Sequence, residues 1–485
     1  MNAWIKTTGV YGVLLPAFWL AGCAQFQKPN VPAIEGYLPA LRTVNPKSER
    51  GLALPGPGRE SGDHQPMVTS ADKPLTLADC VRLALENNPQ NKMAAAGVKA
   101  AQETAGAAVS PFYPTVGVDG GVARWQKRIY LPDGITPPGT TPPETVGPLN
   151  DWNADIRGRW MLFDSGERRA KLRVANAALG AAQADAVRIR QSLVLVVHQA
   201  YFRFLTDAEM RAVARASLAR AEDHLRLAGA RYAAGDVPEV DVLRTRVDVA
   251  DARVGLVHAE SQVNIGRGNL NTAMGLPVER SLRIDKNTNS PLLPDAINLT
   301  NAFDQAVHNR PVLQAGLMRV AGARHAVDRA QSKFGPSVFA DGSYGRRDND
   351  FFPQDEEWSA RLGFEWPVFT GFLRVRELAR TRAELNREEA ALERQVQDVR
   401  QEVWLYYIRL KESCELIRAA DVMVANANES LRSVRARYEA GASPVADLLD
   451  AETALTRAQA IQVKAHGDYG IARATFQWAV GDLGP

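Results

Sequence analysis

Arg231-Tyr232-Ala233-Ala234-Gly235-Asp236-Val237-Pro238 recurs as Arg437-Tyr438-Glu439-Ala440-Gly441-Ala442-Ser443-Pro444. The two octapeptides stand 206 positions apart (231 against 437), and the offset runs on without a gap. Asp241 falls on Asp447, Leu243 on Leu449 and Gly275 on Gly481; upstream, Trp152 falls on Trp358 and Trp160 on Trp366. Earlier the offset widens to 222, placing Asn87 and Pro89 on Asn309 and Pro311, and Ser110 and Phe112 on Ser332 and Phe334. The 16 extra residues of the first copy belong to the Pro-, Thr- and Gly-rich stretch 131–149. An insertion tolerated there marks an exposed loop tip. A period this long reads as one unit written twice, over 75–281 and 282–485.

Within each octapeptide the glycine (Gly235, Gly441) ends one helix and the proline (Pro238, Pro444) opens the next. The helices that they join are long. From Ala170 to Gly229 there is no proline and Gly180 is the one interior glycine, which predicts about 90 Å of helix at 1.5 Å per residue. Leu172, Ala175, Leu179, Ala182, Ala186, Ile189, Leu193, Val196 and Ala200 step by alternating three and four, the spacing of a coiled coil. The partner helix, about 239–274, carries Val240, Leu243, Val247, Val254 and Val257. In the second copy 372–439 is again free of proline, and Leu378, Leu385, Leu392, Val399 and Tyr406 recur every seven residues.

Ahead of each long helix the period switches to two. Val116, Val118 and Val122 alternate with polar or small neighbours, as do Trp152, Ile156, Trp160 and Leu162 around Asn153, Asp155, Arg157 and Arg159. The second copy repeats this with Val338, Ala340 and Tyr344, then Trp358, Leu362, Phe364 and Trp366 around Ser359, Arg361 and Glu365. Four strands are expected, at about 115–124, 152–163, 337–346 and 358–369. Apolar on one face and charged on the other, they fit barrel strands with lipid outside and a lumen inside. Trp152, Trp160, Trp358 and Trp366 would then mark the two water–lipid boundaries. A soluble sandwich with the apolar face as core is the competing reading. Four strands cannot enclose a lumen alone, so the barrel requires several chains.

The formal net charge is +3 and the charged residues, 23% of the chain, mix both signs. That excludes a basic nucleic-acid surface. No run approaches the ~20 apolar residues of a spanning helix. At the start, Lys6, the apolar stretch Val10–Leu20 and Leu20-Ala21-Gly22-Cys23 read as a signal peptide over 1–22. The Leu-Ala-Gly-Cys ending resembles a bacterial lipobox, which implies cleavage before Cys23 and a lipid (palmitate) on that residue. A chance cysteine behind an ordinary signal is the alternative. Ala24 in the next position favours the outer membrane by the same resemblance. Residues 23–74, with eight prolines, read as a tether. Cys80 and Cys414 allow either a disulfide or two buried thiols. Neither a metal-ligand spacing nor a nucleophile elbow, P-loop or HExxH is present. The expectation is a protein that is not an enzyme, with no cofactor beyond the lipid on Cys23.

Two copies of helix, strand, strand, long helix, Y-x-x-G turn and helix resemble the TolC outer membrane factor family, over about 75–481. The most specific segment is Tyr438-Glu439-Ala440-Gly441 followed by Asp447-Leu448-Leu449-Asp450-Ala451. The resemblance implies a mixed α/β membrane protein: a homotrimer giving four strands per chain to one 12-stranded β-barrel, continuous with a long α-helical coiled-coil periplasmic barrel. It implies a passive outer-membrane duct of a tripartite efflux or export system, fed by a periplasmic adaptor and an inner-membrane pump. Asp241, Asp447 and Asp450 match its acidic periplasmic constriction, and Tyr232 and Tyr438 its latch tyrosines. Ser443 stands where a latch arginine is expected. The turns at Gly235, Val237, Pro238, Gly441, Pro444 and Val445 match the adaptor-docking tips. From the residues alone, Asp447 and Asp450 also read as helix-start acids favoured by the dipole. The rival function is a lipid-anchored periplasmic adaptor or scaffold with a long helical hairpin.

Overall fold

The computed structural model describes residues 74–125, 129–130, 145–146, 150–285 and 297–483. The leader 1–22, Cys23, the tether through residue 73 and most of the 131–149 insertion lie outside the described residues.

The first set of elements is α1 (Leu77–Asn87), α2 (Pro89–Ala107), β1 (Thr115–Arg124), the short pair β2 (Ile129–Tyr130) and β3 (Thr145–Val146), β4 (Asn150–Phe163), α3 (Glu167–Ala233) and α4 (Glu239–Ala273). The second is α5 (Leu299–Asn309), α6 (Pro311–Ser332), β5 (Ser337–Asp348), β6 (Glu356–Glu365), α7 (Leu373–Glu439) and α8 (Val445–Val480). Local chemistry sets the boundaries. Thr76 and Asp79 close a capping box at the start of α1. Pro89 and Pro311 occupy the first turns of α2 and α6, where a missing N–H costs nothing. α3 and α7 each run 67 residues, about 100 Å of helix.

β1, β4, β5 and β6 form one antiparallel sheet in that order. Val118 lies opposite Ile156, Ile156 opposite Tyr344, and Tyr344 opposite Trp358. This apolar row is exposed, together with Val116, Leu362 and Phe364, so it is not the core of a sandwich within the chain. The opposite face carries charge. Arg361 donates to Asp341 through Nε and Nη2 at 3.1 and 3.0 Å, and the Arg159 guanidinium lies 4.6 Å from the Phe339 ring. The last strand ends at Glu365, short of the expected 369. Pro367 has no N–H for the ladder, and Trp366 turns its indole N–H to Phe334 O at 3.1 Å.

The sheet joins the long helices through matching elbows. Ser165 and Gly166 in the first, Gly371 and Phe372 in the second, adopt positive φ. Arg168 donates to Met161 O and Pro111 O at 2.6 and 3.1 Å, and Arg374 to Lys333 O at 3.1 Å. Each guanidinium also covers a phenylalanine, Phe112 at 5.0 Å and Phe334 at 5.2 Å.

Helix packing corrects the expected seams. On α3 the buried stripe includes Ala177, Ala181, Ala184, Ala186, Leu193, Val194 and Val197, whereas Val196 is exposed. On α4, Val242, Thr245, Val263, Gly266 and Leu270 are buried, and the expected Val240, Leu243, Val247, Val254 and Val257 are all exposed. The helix has two apolar stripes, and the sequence alone does not say which one meets α3. Where α8 crosses α3 the contact is close: a Cβ on Gly470 would lie 2.5 Å from the Phe202 ring. Gly470→Ala is expected to cost about 1–3 kcal/mol through overpacking, seen as a lower thermal unfolding midpoint in detergent.

Two core clusters flank this crossing. Cys80 lies in one with Val197, Tyr201 and Leu270, and Cys414 packs against the other, around Val403, Leu410 and Ile417; the two form no disulfide. Burial pushes the Cys80 thiol up to about 12. His198 is a satisfied packing residue whose Nδ1–H donates to Val194 O at 2.9 Å. Among the described residues no helix is long and apolar enough to cross a membrane.

Candidate functional site at the helical tip

α3 and α7 end in the same backbone turn. Gly235 (φ +82°) and Gly441 (φ +76°) are left-handed, a conformation that glycine adopts without a Cβ penalty. Asp236 N–H reaches Arg231 O at 2.9 Å and Ala442 N–H reaches Arg437 O at 2.8 Å, the six-to-one bond of a Schellman cap. Pro238 and Pro444 are extended N-caps, one position before the helical turn expected to contain them.

The side chains break the symmetry of the backbone. Tyr438 is 1% exposed, packed with Val434, Val445, Leu448 and Ala451 and with Leu227 from α3. Tyr232 is 47% exposed. The two tyrosines expected to act alike therefore stand in opposite environments. Val445 is corrected too: it is a core residue of the tip, not a surface contact. Gly235, Pro238, Gly441 and Pro444 are exposed and Val237 is half-buried.

Arg231, which sequence reasoning passed over, ties the two turns together. Its Nη1 donates to Tyr438 O at 2.5 Å and its guanidinium lies 5.0 Å from the Tyr438 ring. One charged group thus adds a second donor to a carbonyl that already accepts Gly441 N–H at 3.0 Å in the closing turn of α7 and stacks on the aromatic beside it. Gly441 leaves room for it, since a Cβ there would lie 3.3 Å from Arg231 Nη2. The Tyr438 hydroxyl is buried without a hydrogen-bond partner among the described residues. Burial raises its phenol above the ordinary range; Arg231 acts against that shift and Asp241 adds to it. The only signal for Arg231 in the sequence was its place in the repeated octapeptide.

The acids take different positions. Asp447 and Asp450 are exposed, three apart on the first turns of α8 and so on neighbouring sides of one face. Ser443 Oγ donates to Asp447 Oδ2 at 2.6 Å, so the hydroxyl that replaces the expected arginine holds the carboxylate within its own chain. Asp241 is half-buried in the first turn of α4, with Arg244 at 3.7 Å. Among the described residues no cluster of side chains is arranged to hold a metal ion.

An amphipathic four-stranded sheet joined to two long helical hairpins with an acidic, capped tip is the architecture of an outer-membrane channel protein. The chain belongs to the outer membrane efflux protein family, whose profile matches residues 80–276 and 302–482. It is 28% identical over 400 residues to protein CyaE of Bordetella pertussis, covering 78% of each chain. It is 24% identical to outer membrane protein TolC of Vibrio cholerae, over 86% of this chain and 93% of that one. The solved outer-membrane channel OprN superposes with a TM-score of 0.72 at 20% identity, over 84% of this chain and 89% of OprN. The protein is an efflux component of the outer membrane, and the adaptor reading is set aside.

Proposed function

We propose that three copies of this chain form the outer-membrane duct of a tripartite export system, with the tip as its periplasmic gate. The observation that carries the reading is the sheet: apolar and exposed on one face, charged on the other, with β1 and β6, among the described residues, each paired along one edge only. Open edges cannot survive in hydrocarbon, where every backbone group needs a partner. Pairing β6 of one chain with β1 of the next closes a 12-stranded barrel and removes them. Trp152 and Trp160 are eight residues apart on β4, and Trp358 and Trp366 are spaced alike. That is about 26 Å along the strand at 3.3 Å per residue, or about 20 Å of height at a barrel tilt of about 40°, close to the lipid-facing band between aromatic girdles. The exposed valine stripe of α4 supplies a surface for the neighbouring chain in the helical part.

In this assembly Cys23 carries the lipid anchor and Asp447 and Asp450 from each chain ring the entrance. Like charges there repel one another and attract cations. The exposed turn residues Gly235, Pro238, Gly441 and Pro444 are the docking contacts for a periplasmic adaptor, which couples the duct to an inner-membrane pump. The duct is passive and is not a catalyst. The test is single-channel recording in planar bilayers. Asp447→Asn with Asp450→Asn is expected to raise conductance and weaken block by multivalent cations; unchanged conductance and block would remove the acids from the gate.

A further inference from the structure

Where α3 meets α4 and α8, a buried polar cluster lies that the internal repeat does not generate. Its members Arg220, His224, Asp248 and Glu452 align at the 206 offset with Asn426, Ser430, Ala454 and Arg246, so the second copy has no counterpart. His224 is 2% exposed and Glu452 3%. One side of the cluster is well bonded. Arg220 Nε donates to Glu452 Oε1 at 2.5 Å and Arg220 Nη2 to Thr456 Oγ1 at 3.3 Å, and the Thr456 hydroxyl donates to Ser217 Oγ at 3.2 Å.

The other side is open. Among the described residues, His224 Nε2, Glu452 Oε2 and Asp248 Oδ2 are each buried without a hydrogen-bond partner, on three different helices. Nε2 stands 3.6 Å from Oε2, just beyond bonding reach. Leaving such atoms unmade costs stability, and more so when they are charged. With a neutral imidazole, the Arg220 charge faces two carboxylates. A proton on the imidazole makes both ring nitrogens donors and balances the second carboxylate. Asp248 is held above the usual carboxylate range by burial first and then by Glu452 and Asp251, with His224 opposing. A raised carboxyl stabilises the packing in acid, and that contribution is lost as pH rises. Burial pushes Glu452 up as well, but His224 and Arg220 outweigh it and hold its carboxyl below the usual range.

We propose that Arg220, His224, Asp248 and Glu452 form a proton-operated clamp that ties α3 to α4 and α8 and holds the duct narrow when its surroundings acidify. The groups around the imidazole are Arg220 on its own helix, Asp248 on α4 and Glu452 on α8, with the exposed Asp251 acting on Asp248. Imidazole is the side chain that ordinarily changes charge within the mildly acidic range. The clamp rests on the channel reading above and acts apart from Asp447 and Asp450.

The test is conductance of the full-length protein in planar bilayers against pH. Wild type is expected to fall about twofold or more between about pH 7.5 and about pH 5.5. His224→Gln, which keeps a neutral hydrogen-bonding side chain, removes the fall; Asp248→Asn does the same by removing the second carboxylate. Asp447→Asn with Asp450→Asn keeps it. Should His224→Gln fail to yield pore-forming trimers, Asp248→Asn decides. A wild-type pore without the fall overturns the clamp, as does a fall that persists in His224→Gln and Asp248→Asn. Absence of any pore at either pH overturns the channel reading itself.

Discussion

Val247→Asp is expected to abolish assembly. In the single chain Val247 is 70% exposed on α4. A substitution at such a position in a monomer stays within about 0.5 kcal/mol. If the α4 stripe faces the next chain of a closed ring, the same change buries an unpaired carboxylate at every subunit boundary. Breaking the balance of a buried charge costs about 3–5 kcal/mol, and threefold symmetry applies it three times. The readout is the heat-modifiable trimer on unheated gels, with mass in detergent from light scattering. Wild-type trimer yield in Val247→Asp would mean that α4 does not meet a neighbour, and the ring would have to close through another surface.

Arg231→Ala is expected to open the tip. The side chain contributes a charge-assisted bond to Tyr438 O and a stacked contact with its ring. Such a bond contributes about 1.5–3 kcal/mol and an exposed cation–π contact about 0.5–1 kcal/mol. A loss of about 2–3 kcal/mol per chain moves a closed–open equilibrium by more than tenfold, since 1.4 kcal/mol is tenfold. The expected result is a several-fold rise in single-channel conductance. Arg231→Lys should fall between, because an ammonium keeps the charge but lacks the planar face that stacks. Tyr438→Phe is the control, expected to leave conductance unchanged: it keeps both the ring and the carbonyl that Arg231 uses, and among the described residues the hydroxyl has no hydrogen bond to lose. Wild-type conductance in Arg231→Ala would show that the tip is held by other contacts.

The elements were legible because their signals are local. Period two over Val116–Val122 and Trp152–Leu162 became β1 and β4, and the proline-free spans became α3 and α7 to within a few residues. The glycines of the octapeptides close the ends of α3 and α7 as expected, and do so in left-handed φ. The fourth strand ends four residues before the expected 369, because the apolar alternation continues through Trp366 and Val368 while Pro367 ends the hydrogen bonding. Packing partners were less legible. Val240 and Val242 are both apolar and two residues apart, and only the placement of α3 decides that Val242 is covered and Val240 is not.

The tip shows the same division. Repeated residues suggested equal roles for Tyr232 and Tyr438, yet only Tyr438 is sealed, by Leu227 of α3 and Leu448 of α8, while Tyr232 on α3 stays exposed, and Arg231 reaches a carbonyl 207 residues away. Arg220 and Glu452, separated by 232 residues, share no motif at all. What the sequence determined by itself was the repertoire: backbone period, turn chemistry, the acidic start of α8 and the amphipathic faces, since each depends on neighbours a few residues away. The tertiary structure alone decided which apolar stripe is spent inside the chain, which tyrosine is sealed and which charges meet in the interior. Those outcomes depend on the relative placement of helices distant in sequence, and no periodicity within one helix carries that information.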